Sequence, residues 1–408
     1  MTTNPSFDAR PKAGVGDAFR SWWNAQSRPM QWLFGVPFII LIALLPILNI
    51  PLLTTEGTNF GGVMAQFGMY ALIAIGLNVV VGQAGLLDLG YVGFYAVGAY
   101  TVALLTSPNS PWNQTGPGGW LSSDWAWLAC LPIAILITAL SGLLLGSPTL
   151  RLRGDYLAIV TLGFGEIVRL LADNLEEITG GGRGLSQVAY PRFGTTEEFP
   201  LGVFSAGNVG KTLNSGVWWY WLSIVFIILA LLFVGNLERS RVGRAWVAIR
   251  EDEDAAEIMG VPTFKFKLWA FTIGAAIGGL SGALYAGQVQ FVVPTNFNVI
   301  NSVLFLCAVV LGGQGNKLGV ILGAFIIVYL PNFFLGRTEL FGIPVDGDSI
   351  AEYKYFFFGL ALMVLMIFRP QGLLPVRQKL LTYGRELYVA ARRRQQDQAT
   401  VPPAEVTK

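Results

Sequence analysis

Chemistry needs ionisable or nucleophilic side chains brought together, and this sequence offers few. Its 408 residues include no histidine, which removes the usual proton shuttle and the commonest metal ligand. Cys130 and Cys307 both fall in apolar runs, so neither a disulfide nor a metal site is expected. No pair of carboxylates and no nucleophile–base set suggests catalysis. A Gly-x-x-x-x-Gly-Lys-Ser/Thr phosphate loop is missing, so no nucleotide site of that kind is expected on this chain. Two charges, Glu166 and Arg169, lie well inside an apolar run. An isolated charge at membrane depth costs about 2.5–3.5 kcal/mol on insertion scales. Their i, i+3 spacing allows the two to pair. They read either as a brace between helices or as the border of a polar pathway. Asp88 reads as a cap or an interhelical hydrogen-bonding group, and Asp155 as the N-cap of the run that follows it.

The densest charge lies between Glu238 and Gly260. Its second half has the marks of a short helix: Glu251, Asp252, Glu253 and Asp254 at the start, where acids suit the helix dipole, then Ala255 and Ala256, then Gly260 to close it. Ala255, Ile258 and Met259 share one face by i, i+3, i+4 spacing. An apolar face on a charged loop reads either as a docking surface for a partner or as part of a solvated connector. Two glycine junctions also look alike. Gly82, Gln83 and Gly85 join one pair of apolar runs, and Gly313, Gln314 and Gly315 join another. Paired glycine interruptions mark either duplicated halves with a pathway between them or two tight turns.

The elements that position these residues are apolar runs. Hydrophobic residues make up 53% of the chain and charged ones 13%, against about 25% charged in soluble domains. A bilayer core about 30 Å thick takes about 20 apolar helical residues to cross. Ten such spans are expected, over 33–50, 63–81, 86–105, 125–145, 156–173, 217–235, 268–292, 299–312, 318–335 and 353–368, or eight if two weaker runs are re-entrant. Continuous runs without alternation exclude a barrel, so an all-α integral membrane protein is expected. The 49 glycines suit closely packed membrane helices. No removable signal peptide is read before Leu33. With the N-terminus inside, the inner segments 1–32, 146–155, 236–267, 313–317 and 369–408 hold 21 Lys and Arg, and the outer segments hold only Arg183, Arg192, Lys211, Arg337 and Lys354. That bias places both termini in the cytoplasm, the loop 174–216 outside and the loop 236–267 inside. The basic run Arg392-Arg393-Arg394 in the tail suits anionic lipid headgroups, and the tail reads as disordered at its end. A net charge of +2 gives no reason to expect nucleic acid.

Asp254-Ala255-Ala256, three further residues, then Gly260 resembles the EAA loop of ABC importer permeases, with Asp in place of Glu. The run Gly76–Tyr91 (GLNVVVGQAGLLDLGY), the run Leu152–Arg169 (LRGDYLAIVTLGFGEIVR), Val310–Gly313 (VLGG) and Phe368–Pro375 (FRPQGLLP) resemble the signatures of LivM-type branched-chain amino acid permeases. The resemblance spans about residues 60–375. Where the family often has Thr-Gly-Gly-Pro-Asn-Gly, this chain has Thr179-Gly180-Gly181-Gly182-Arg183-Gly184. The resemblance implies an ABC importer permease fold over 33–375, between a cytoplasmic arm (1–32) and a cytoplasmic basic tail (376–408). It implies a transport subunit rather than an enzyme, in a bacterial inner membrane, importing branched-chain or related small amino acids by alternating access. It implies a homologous second permease, two ATP-binding cassette subunits that hold ATP and Mg, and an external amino-acid-binding protein. No cofactor is expected on this chain. Asp254, Ala255, Ala256, Glu257, Ile258, Met259 and Gly260 would form the helix that couples to an ATPase. A urea or short-amide permease is the nearest alternative. An ion-coupled secondary transporter is the alternative of another class, and Glu166 is the residue that would favour it.

Overall fold

A computed structural model describes residues 42–47, 59–112, 126–152, 154–193, 204–205, 215–335, 339–340, 343–344, 353–368 and 372–374. The expected arm 1–32, nearly all of the first span and the tail 376–408 lie outside the described residues. The chain divides into two units, 1–49 and 50–408. In the first, residues 42–47 form one short helical stretch. All that follows concerns the second.

Its long elements are helices, because an apolar backbone with no water nearby must satisfy its polar groups within each segment. They are α1 (Phe60–Leu77), α2 (Tyr91–Thr106), α3 (Ala126–Thr149), α4 (Asp155–Asn174), α5 (Ser215–Arg239), α6 (Arg241–Glu251), α7 (Glu253–Ile258), α8 (Thr263–Val289), α9 (Val299–Gly312), α10 (Lys317–Phe334) and α11 (Lys354–Phe368). Among the described residues, five helices are long and apolar enough to cross a membrane: α1 with its extension to Gln83, α3, α5, α8 and α10. Apolar α2 and α9, and the Lys354–Val364 part of α11, are shorter. Helix α4 carries Glu166, Arg169 and Asp173 and is amphipathic. The outward faces of α3 (Leu136, Leu140, Leu144) and α5 (Val225, Leu229, Leu232) are exposed and apolar. Apolar stripes of that length suit lipid, not water.

Helix α8 is central. It packs on α1, α2 and α3, while α1 also packs on α5 and α10, and α9 on α10. Small residues make this possible. The buried face of α8 includes Gly274, Ala275, Gly278, Gly279, Gly282 and Ala283. Backbones therefore approach closely, and polar side chains bond across the gaps. Tyr91 Oη donates to the Gly274 carbonyl at 2.6 Å, Ser281 Oγ to the Met69 carbonyl at 2.9 Å, and Trp127 Nε1 to the Ala283 carbonyl at 3.2 Å.

The loops segregate to two ends. At one end Leu185–Ser186 pairs with Phe291–Val292, and Ser107 Oγ donates to the Ser186 carbonyl at 2.6 Å. At the other end the segments 78–90, 238–263, 313–317 and 372–374 meet. Of these, 238–263 and 313–317 carry Lys and Arg, whereas 78–90 and 372–374 carry none, so charge bias accounts for only part of the grouping.

Two expectations at helix starts need correction. The cap position of α4 is held by Gly154, at a positive φ of 61°, and Asp155 is the first helical residue. Helix α2 begins at Tyr91, not near residue 86. Buried Asp88 holds the preceding link in a turn, its Oδ1 accepting from the Gly90 N–H at 2.9 Å.

Candidate functional site

The charged loop folds into two helices held against the bundle. Ser240 caps α6, its side chain accepting from the Val242 N–H at 3.1 Å. Trp246, Ala245 and Ile249 form the buried face of α6, and Trp246 Nε1 donates to the Phe266 carbonyl at 2.8 Å. Asp252 caps α7 by accepting from the Ala255 N–H at 2.9 Å. Gly260, at φ 83°, ends α7, and the Val261 N–H returns to the Ala256 carbonyl at 3.0 Å. This is the wrapped C-terminal turn that glycine permits. Glu253 forms an ion pair with Lys267 of α8, whose buried ammonium needs such a partner.

Of the seven residues from Asp254 to Gly260, only Ala256 is buried. Ile258 is 85% exposed and Met259 82%, and Ala255 is exposed beside them. The apolar face expected from the spacing therefore points away from the chain's own core.

The two glycine junctions, more than two hundred residues apart in sequence, meet directly above this loop. The first is not a simple tight turn. Residues Asn78–Gln83 continue α1 as a π-helix, a rare form that often marks functional positions. Asn78 Oδ1 accepts from the Gly315 N–H at 2.8 Å. The close approach leaves no room at Gly82, where an added Cβ would lie 2.6 Å from the Gly315 nitrogen. Glu238, at the end of α5, holds both junctions: its Oε1 accepts from Gln83 Nε2 at 2.5 Å and its Oε2 from Lys317 Nζ at 2.6 Å. Arg250, from the last turn of α6, donates to the Gly82 carbonyl and its stem packs where Gly85 has no side chain. Burial pushes the Arg250 pKa down from its usual value, against the opposing pull of Glu251. The segment 372–374 closes the far side: the N–H groups of Leu373 and Leu374 donate to the carbonyls of Leu311 and Gly312 at 2.9 and 3.0 Å. Gln314 is half-buried, and its side chain makes no hydrogen bond among the described residues. The arrangement ties the loop mechanically to two backbone junctions of the bundle. Sequence spacing pointed to Gly82, Gln83, Gly85, Gly313, Gln314 and Gly315 but missed Glu238, Arg250 and Lys317, which are ordinary members of charged segments until the fold brings them together.

Glu166 and Arg169 pair within α4, with Arg169 Nε and Nη2 donating to Glu166 Oε1 at 2.9 and 2.5 Å. The Arg169 side chain is 24% exposed and that of Glu166 34%, and exposed Ile167 and Leu170 flank them. The pair joins residues of one helix and lines neither cavity described below. Removing one partner strands the other in an apolar setting, so neutralising both is expected to cost less than the sum of the two single changes. A double-mutant cycle on thermal unfolding in detergent, with Glu166→Gln and Arg169→Gln, is expected to give a coupling of about 1 kcal/mol. Additive effects would show that the contact contributes nothing.

At the other end of the bundle lie two adjoining cavities of about 500 and 520 Å³, which share Gln66, Tyr70, Leu304 and Lys354 in their walls. The larger is bordered mainly by neutral polar groups, among them Gln288, Asn301 and Tyr285. The smaller is bordered by Ile327, Val328 and Phe358. A search for charged pairs overlooks such residues, although a glutamine inside an apolar span, such as Gln66, is a legible signal.

A family model described as the branched-chain amino acid transport system permease component matches residues 59–366. The chain is 43% identical over 316 residues to the high-affinity branched-chain amino acid transport system permease protein LivM of Salmonella typhimurium, covering 76% of this chain and 68% of that one. It is 41% identical over 380 residues to the LivM protein of Escherichia coli K12, covering 91% and 81%. It is also 26% identical over 314 residues to the LivH permease protein of Salmonella typhimurium, covering 75% and 91%. No solved structure matches the chain. The match runs from the start of α1 almost to the end of α11, through both glycine junctions and the loop that joins them, and the chain belongs to the family of permease components of branched-chain amino acid transport systems.

Proposed function

We propose that this chain forms part of the membrane path of an ATP-driven importer for branched-chain amino acids, and that α7 is the helix through which an ATPase subunit drives it. The observation that carries the second point is the exposed pair Ile258 and Met259 on a short helix capped at both ends and anchored to the bundle. An apolar patch held rigid at the tip of a loop is suited to fill a pocket on a partner. Motion of α7 would pass through α6 and Arg250 to the Gly82 carbonyl, and through Glu238 to both junctions. Opening and closing there would alternate access to the two faces of the membrane.

In this reading a second, homologous permease subunit faces this one, and two ATPase subunits bind ATP and Mg on the cytoplasmic side. An external binding protein delivers the amino acid. Ten spans place both termini in the cytoplasm of a bacterial cell, with 174–216 outside. The Lys and Arg bias and the segregation of loops to two ends support that topology. Substrate choice rests mainly with the binding protein, since the cavity walls carry little fixed charge.

Replacing both Ile258 and Met259 by aspartate is the test. Leucine uptake driven by ATP is expected to fall at least about ten-fold, equivalent to about 1.4 kcal/mol, with the amount of protein in the membrane unchanged because both side chains already face outward. Undiminished uptake would remove α7 from the coupling route.

A further inference from the structure

Lys354 is out of place by two measures. It is one of five cations on the side that the charge bias leaves poor in Lys and Arg, and it lies in the wall shared by both cavities. Its ammonium has no carboxylate partner among the described residues. What it does meet is the face of the adjacent Tyr355 ring, 5.2 Å from the centroid. A half-buried cation with neutral neighbours favours an anion arriving from outside.

The neighbours suit the rest of an amino acid. Gln66 and Gln288 make no side-chain hydrogen bond among the described residues, and each amide has an oxygen free to accept from an ammonium group. Glutamines on membrane helices with no internal partner face a wet cavity or a ligand, because lipid offers them nothing. On the other side of Lys354 the wall turns apolar, with Leu304, Ile327, Val328 and Phe358. Polar groups, a cation and an aliphatic wall thus adjoin in that order. Each cavity is within the range of about 300–1,000 Å³ typical of small-molecule sites.

We infer that these joined cavities are a receiving station for the amino acid, in which Lys354 Nζ pairs with the α-carboxylate and the aliphatic wall takes the branched side chain. The inference rests on the import function proposed above and adds to it a recognition residue within the membrane subunit. Among the described residues of the two walls Lys354 supplies the one charge and no carboxylate answers the substrate ammonium, so the station is weak and selects for the carboxylate.

The test uses the full chain in membranes, with Val289→Cys, in the cavity wall but without a binding role, as a reporter and a small water-soluble thiol reagent. The buried native Cys130 and Cys307 set the background, measured on the chain without the reporter. Millimolar leucine is expected to slow modification at least about three-fold, while leucinamide, which lacks the carboxylate, leaves the rate unchanged. Lys354→Gln is expected to abolish protection and Lys354→Arg to retain it. Equal protection by leucinamide, protection that survives Lys354→Gln, or no protection by leucine would each overturn the inference. Leucine uptake by the unaltered protein, assembled with its second permease, ATPase subunits and binding protein, is measured in parallel. Uptake without protection defeats the station alone, and absence of uptake defeats the import reading beneath it.

Discussion

A Gly98→Ala variant is expected to be destabilised by about 3 kcal/mol and to unfold at a clearly lower temperature. Helices α2 and α8 cross at this point with backbone against backbone. A Cβ at Gly98 would lie 2.2 Å from the Gly279 carbonyl oxygen and 2.5 Å from its Cα. No side chain can swing aside there, so one helix must move. Overpacking of a tight interface costs about 1–3 kcal/mol, and backbone contact puts this site at the upper end. In lipid no large hydrophobic force between helices compensates for lost contact. Thermal unfolding of the detergent-solubilised chain measures the effect. Gly163→Ala on α4 is the matched control, since nothing lies within 4 Å of its added Cβ. Alanine in a helix interior is expected to stabilise by about 0.5–1 kcal/mol. Equal stability of the two variants would contradict the α2–α8 crossing.

Arg250→Ala is expected to uncouple transport from ATP hydrolysis. The guanidinium is the direct tie between the loop helices and the Gly82 carbonyl. A hydrogen bond to a charged group contributes about 1.5–3 kcal/mol, so its loss corresponds to an uptake defect of about ten-fold or more. Hydrolysis by the assembled importer is expected to stay within about two-fold, because Arg250 faces the bundle and not the exposed face of α7. Arg244→Ala serves as comparison, since Arg244 bonds to the Arg239 carbonyl at an exposed position. If uptake in Arg250→Ala matches that in Arg244→Ala, the tie carries no motion.

Long apolar runs made most of the fold legible. The expected spans 125–145, 217–235 and 268–292 correspond to α3, α5 and α8 with ends shifted by a few residues, because continuity of apolar residues decides whether a membrane helix forms. Starts were harder. Leu86, Leu87 and Leu89 look like helix, yet the turn held by Asp88 and Gly90 keeps them out of it. Asp155 looks like a cap, yet glycine at 154 reaches a conformation that aspartate does not need to supply. The Lys and Arg of 238–263 and 313–317 group those two segments, but 78–90 has neither residue and is brought to them only by the fold. The meeting of Asn78 with Gly315 was not legible. A contact spanning 237 residues leaves no trace in local spacing, and the two junctions resembled each other without revealing that they touch. Glu238 was hidden for the same reason: its partners, Gln83 and Lys317, lie on opposite sides of it in the chain. The neutral cavity residues escaped because an unpaired amide attracts less notice than a charge.

The contact between segment 372–374 and the end of α9 has a consequence for how the molecule is made. A helix ends with carbonyls that lack partners inside it, and here two of them, on Leu311 and Gly312, are satisfied by the N–H groups of Leu373 and Leu374. Those partners leave the ribosome only after α10 and α11 have been synthesised. At about 5–20 residues per second, the nascent chain waits several seconds with this corner unfinished. During that interval the Leu311 and Gly312 carbonyls lack the partners that this segment supplies. This closure is thus completed only after every described helix of the bundle has been synthesised, and a chain that ends before Gly372 leaves the α9 carbonyls without these partners.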